Sequence, residues 1–142
     1  MRGPLPMPDP YRHRLRIYWE DTDAGGVVFY ANYLKFFERA RTEWLRHLGH
    51  GQEALRRDHD TIFVVTDTAL RYLRPARLDD LIDVTVKVQR SGGASLTIAQ
   101  QAWRDDAGVA TLLAEGTIRI GCVSAGTFAP RRIPTDLLTA TR

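Results

Sequence analysis

The chain has 142 residues, 44% hydrophobic and 26% charged, which suits one globular domain and excludes disordered, collagen-like and membrane-spanning classes. Its formal charge of +3 rests on arginine far more than lysine and forms no basic run interleaved with aromatics; nucleic-acid binding is not expected, while a polyanionic ligand or an ordinary basic surface both fit. Apolar runs such as 62–65 are too short to cross a bilayer and MRGPLPMPDP resembles no secretory leader, so a cytoplasmic location is expected.

Four prolines in the first ten residues predict a flexible lead-in over 1–10, ahead of a single domain over 11–142. Over 13–19, Leu15, Ile17 and Trp19 share one side of an extended chain, the period of a strand with one buried face. Paired glycines, Gly25 and Gly26, then interrupt regular structure and predict a shaped loop. Asn32 is the expected cap of a long amphipathic helix in which Tyr33, Phe37, Ala40, Trp44 and Leu48 recur at spacings of three and four, with Gly49 as its stop. Residues 52–60 predict a further short helical turn.

The period changes after that helical region. Residues 61–74 predict a strand ended by Pro75, and Ile82, Val84, Val86 and Val88 alternate with Asp83, Thr85 and Lys87 in a second. A third strand begins at Leu96 and Ile98. A turn at Asp105, Asp106 and Gly108 reverses it into the run over 109–122, where Leu112, Ala114, Ile118 and Ile120 share a face. Cys122 in that run reads as a buried, inert thiol. Short connections between strands favour antiparallel pairing, so the pattern predicts an α+β architecture with one sheet on one long helix.

The segment with chemical content is DTDAGGVVFYANY, residues 21–33, an acidic loop running into the helix start. A helix start offers unpaired N–H groups and the positive end of its dipole, which suit a carbonyl oxygen gaining negative charge. A carboxylate beside it can attack the carbonyl or deprotonate a water. Asp21 and Asp23 both have structural explanations as well, since either can tie the loop through its own backbone. Glu38 and Glu43 are further carboxylates on the helix, and the spacing of Glu43 from Arg39 predicts a surface ion pair. His13, His47, His50 and His59 have no metal-site spacing, so no metal and no cofactor are expected.

The string YWEDTDAGGVVFYANYLKFFERARTEWLR, continued by YLRPARLDDLIDV, resembles the 4-hydroxybenzoyl-CoA thioesterase family, most closely its Tol-Pal-associated acyl-CoA thioesterase branch. The resemblance implies a hotdog fold, an antiparallel sheet of about five strands wrapped around one long helix. It implies hydrolysis of short-chain or aromatic acyl-CoA, with Asp23 as nucleophile or general base and the Tyr30 N–H polarising the thioester carbonyl. It further implies that Gly26 and Val27 line the substrate, that Arg90 and Ser91 meet coenzyme A, that the chain is a homodimer or homotetramer, and that it is linked to the cell-envelope Tol-Pal machinery. The branch usually has histidine where this chain has Tyr30, a residue resembling the 4-hydroxybenzoyl-CoA enzymes. Tyrosine is a poor base near neutral pH, so Tyr30 is expected to orient substrate or act through its backbone. A non-catalytic acyl-CoA-binding module and a hotdog dehydratase are the alternatives.

Overall fold

A computed structural model of the chain describes residues 10–134; the expected lead-in over 1–9 and the last stretch of the expected domain, 135–142, lie outside the described residues. The elements are β1 (Tyr11–Arg16), α1 (Asn32–His47), α2 (Gln52–His59), β2 (Thr61–Tyr72), β3 (Leu81–Ser91), β4 (Ser95–Asp106) and β5 (Val109–Ser124). The strands form one antiparallel sheet in the order β1-β3-β4-β5-β2, leaving β1 and β2 as its edges.

The helical period places Tyr33, Phe36, Phe37, Ala40, Trp44 and Leu45 of α1 in the core, against Ile82, Val84 and Val86 of β3 and Leu96 and Ile98 of β4. Each large side chain so buried contributes about 1.5–3 kcal/mol, and this helix-on-sheet contact holds the start of α1 over the end of the sheet. Register is helped by Gly116. A Cβ there would meet the Ala69 carbonyl oxygen at 2.2 Å and Leu70 Cδ2 at 2.4 Å, so only glycine lets β2 close on β5.

Several expectations are corrected. Trp19 does not continue the strand face: β1 ends at Arg16, and Trp19 lies in a 3₁₀ turn with its ring exposed. Asn32 is the first residue of α1 and makes no cap; its side chain instead reaches back to the preceding loop. Glu43 pairs with Arg46 one turn on, not with Arg39. Leu112 is buried but stands outside the cluster that holds Ala114, Ile118 and Ile120, because a bulge between Ala102 and Trp103 shifts the register of β4 on β5.

One polar network in the core has no signature in the sequence. Arg41 is 9% exposed and donates from Nη1 to Gln100 Oε1 at 2.9 Å. Gln100 Nε2 in turn donates to the carbonyls of Phe37 at 3.1 Å and Thr85 at 3.3 Å, so α1 is keyed to β3 and β4 at one height. Desolvation pulls the Arg41 guanidinium below its ordinary pKa, an effect partly offset by Glu38.

Candidate active site

The loop between β1 and α1 is built from backbone hydrogen bonds together with those of the Asp21, Thr22, Asp23 and Asn32 side chains. Ile17 closes the strand with its N–H on the Asp80 carbonyl and its own carbonyl accepting from Asp79 N–H, both at 2.9 Å. Asp21 Oδ2 then accepts the Tyr18 N–H at 2.8 Å, and Thr22 Oγ1 donates to the Trp19 carbonyl at 2.8 Å, which fixes the 3₁₀ turn. Asp21 is thereby a structural residue, as one of the two sequence explanations has it.

Asp23 opens a tight reversal. Its N–H donates to the Val27 carbonyl at 2.9 Å, its carbonyl accepts the Gly26 N–H at 3.0 Å, and its Oδ1 accepts the Gly25 N–H at 2.8 Å. Gly26 takes φ +80, a conformation that follows such a turn at little cost only in glycine. A Cβ at position 25 would stand 3.2 Å from Asp23 Oδ1, so small size there leaves the carboxylate room. Asp23 is exposed, and among the described residues no partner is set against its second oxygen.

The returning arm is tied to the segment between β2 and β3. Val28 N–H donates to the Ala76 carbonyl at 2.8 Å, and Val27 bridges Arg77. The buried Tyr33 hydroxyl accepts the Ala76 N–H at 3.3 Å, and burial raises the pKa of this phenol. The Asp21 carbonyl accepts from Phe29 N–H at 3.1 Å and from Asn32 Nδ2 at 2.9 Å, which joins the loop to the start of α1. Behind this, Asp80 Oδ2 accepts the Arg77 N–H at 2.8 Å, and Arg104 of β4 donates from Nη1 to the Pro75 carbonyl at 3.3 Å and faces Asp80 at 4.0 Å. The conspicuous string YLRPARLDD thus supplies the platform of the loop, a role that no spacing in the sequence reveals.

Tyr30 stands two residues ahead of α1, exposed, and among the described residues its N–H has no acceptor. Asp23, Gly26, Val27 and Tyr30 therefore share one loop. Arg90 and Ser91 do not join them: the loop is anchored beside Leu81, and Arg90 lies at the other end of β3, roughly 30 Å away at the usual strand rise. There they line a cleft of about 470 Å³ with Asp67, Ser95 and Arg119. Glu38 accepts from Thr42 Oγ1 at 2.6 Å on the exposed side of α1.

This sheet, helix and loop define a thioesterase of the hotdog type. The thioesterase superfamily model matches residues 25–111, and the chain belongs to that family; Tyr30 lies inside the matched span and Asp23 just ahead of it. The chain is 40% identical over 126 residues to the acyl-CoA thioesterase YbgC of Haemophilus influenzae, across 89% of this chain and 90% of the relative. It is 39% identical over 128 residues to the acyl-CoA thioester hydrolase YbgC of Escherichia coli, across 90% and 92% respectively. The Tol-Pal-associated branch is consistent with these relatives. A solved structure of a probable thioesterase from Bartonella henselae superposes with a TM-score of 0.81 at 30% identity, across 88% of this chain and 99% of that one.

Proposed function

We propose that the protein hydrolyses acyl-CoA thioesters to the free acid and coenzyme A. The observation that carries this reading is that Asp23 and Tyr30 share one fixed loop at the start of α1 in which, among the described residues, the second Asp23 oxygen and the Tyr30 N–H have no partner. Names of the YbgC relatives support the same chemistry.

In the reaction, an oxygen nucleophile adds to the thioester carbon, the carbonyl oxygen gains negative charge, and the C–S bond breaks to release the thiol of coenzyme A. Asp23 either adds directly, giving an anhydride that water then opens, or takes a proton from the water that adds. The Tyr30 N–H and the helix dipole stabilise the oxyanion in both routes. The Tyr30 side chain is not needed as a base. The acyl group is a short-chain or aromatic one, with Gly26 and Val27 beside it.

Edge strand β2 exposes Val65, and pairing with a second copy would cover it, so a homodimer, or a homotetramer of two such pairs, is the working assembly. In that assembly, any contact of Arg90 and Ser91 with coenzyme A is made toward another protomer's loop, given their distance from their own. A cytoplasmic location and a link to the cell-envelope Tol-Pal machinery belong to the same proposal. Among the described residues no helix is long and apolar enough to cross a membrane.

Thiol release from short-chain, long-chain and aromatic acyl-CoAs tests the proposal, with Asp23→Asn as the control. Turnover by the wild type and a roughly thousandfold loss in the variant, about 4 kcal/mol of transition-state stabilisation, is the expected result. Tight ester binding without turnover would instead identify an acyl-binding module, and an enoyl thioester product a dehydratase.

A further inference from the structure

We propose that Tyr72 is a specificity-determining residue of this site, its ring holding that of Tyr30 beside the helix start so that planar aromatic acyl groups are favoured over aliphatic ones. The inference rests on the thioester-hydrolase reading and deepens it.

Four rings run from the core to the surface. Tyr33 is 3% exposed and fixed by its hydroxyl, which accepts the Ala76 N–H. Tyr72, at the end of β2, meets Tyr33 at 5.4 Å with 63° between the planes. Tyr30 stands nearly perpendicular to Tyr72, at 6.0 Å and 84°, and Phe29 lies 5.0 Å from Tyr30. The backbone following Tyr72 is pinned as well, because Leu73 and Arg74 both donate to the Leu113 carbonyl, at 2.8 and 3.1 Å. Exposure rises from Tyr33 to 46% at Tyr72 and 62% at Tyr30.

Position decides what the exposed rings meet. A carbonyl oxygen accepting the Tyr30 N–H lies about 2.9 Å from that nitrogen, so the first group attached to the acyl carbon falls against Tyr30 itself. Ring edges and faces offered there gain about 0.5–1.5 kcal/mol from each further aromatic partner beyond area burial, a gain that an aliphatic chain does not share. Tyr72 is far from Tyr30 along the chain and belongs to no loop motif. Only the approach of β2 to the start of α1 joins them.

Hydrolysis of benzoyl-CoA and propionyl-CoA by the wild type, Tyr72→Phe and Tyr72→Leu tests this, with calorimetric binding of both esters to Asp23→Asn and to the Asp23→Asn, Tyr72→Leu double variant. The wild type should prefer benzoyl-CoA, and Tyr72→Leu should lower the benzoyl-to-propionyl ratio of kcat/KM about tenfold. Tyr72→Phe should keep the ratio within about twofold, since the ring and not the hydroxyl makes the contacts. It also keeps the test open should leucine unsettle β2. A wild-type preference for propionyl-CoA, an equal loss on both esters in Tyr72→Leu, or loss of the ratio in Tyr72→Phe overturns the proposal. Absence of turnover on either ester refutes the hydrolase reading alone, and the binding ratio then decides: it falls in the double variant if Tyr72 sets specificity and is unchanged if it does not.

Discussion

Two aspartates, Asp23 and Asp60, each accept a glycine N–H on Oδ1, yet their remaining atoms have opposite fates. At Asp60, which takes φ 49 at the end of α2, Oδ1 accepts the Gly126 N–H at 3.0 Å, Oδ2 accepts the Ser124 hydroxyl at 2.6 Å, and Arg131 stands 3.5 Å away. At Asp23 one oxygen accepts the Gly25 N–H, and among the described residues the other has no partner. The first carboxylate is consumed in joining α2 to the end of β5. The second spends one oxygen on the Gly25 N–H of its own loop, and among the described residues its other oxygen remains available to a substrate. Identity and local pattern do not separate the two; the number of occupied acceptor sites does.

The largest effect expected from this contrast is at Asp23 itself. Asp23→Asn keeps an oxygen for the Gly25 N–H, so its thermal midpoint should stay within about 1 °C of the wild type while hydrolysis falls roughly a thousandfold. Unfolding measured by circular dichroism beside thiol release checks both halves, and a midpoint lowered by several degrees would show that Asp23 is structural like Asp60. Gly26→Ala ranks next. Its φ of +80 costs an alanine about 1–2 kcal/mol, which should lower the midpoint by about 2–6 °C and reduce kcat by misplacing Asp23.

Most of the architecture is legible in the sequence because burial imposes a period. The alternation over 82–88 and the three-and-four spacing from Tyr33 to Leu48 predict a strand and a helix that the chain forms, although Thr85, on the face expected to be open, is fully buried. The period fails where a bulge intervenes, as at Leu112, or where a polar side chain is buried with a partner from another element, as with Arg41 on Gln100. Nor does a period say where a strand ends in space. Asp23 and Tyr30, which the resemblance names together, lie in one loop because they are close in sequence. Arg104 and Tyr72 escape notice because they reach the loop only through the sheet. Arg90 is drawn into the site by resemblance, whereas its strand carries it to the end of β3 away from the loop.

Arg104 offers a gentler way to sharpen the comparison, since it acts on Asp23 only through the platform over 75–80. Arg104→Met removes the donor to the Pro75 carbonyl and the charge facing Asp80, together with the ion pair to Asp106 on its own strand, while retaining most of the apolar stem. A fall of about fivefold in kcat, roughly 1 kcal/mol, is expected, with KM moving less than about twofold. A raised KM with kcat unchanged would place Arg104 in substrate binding and not in positioning.

The smallest effect is at Asp60, and it is visible chiefly in acid. The Ser124 hydroxyl, the Gly126 N–H and Arg131 hold this carboxyl below the ordinary aspartate value of 3.8. An unfolded chain therefore binds the proton first, so the contribution of Asp60 to stability is complete above about pH 5 and is lost as pH falls through 3.8 and below. Asp60→Asn carries no such titration. Urea unfolding should show a constant stability gap between wild type and Asp60→Asn from about pH 7 to pH 5, narrowing below about pH 4, while thiol release at pH 7 stays within about twofold. A gap still open near pH 3 would mean that Asp60 is held by the shape of the corner alone. Its charge would then be as uncommitted as the free oxygen of Asp23, and the distinction between the two aspartates would have to rest on position instead of on occupied acceptors.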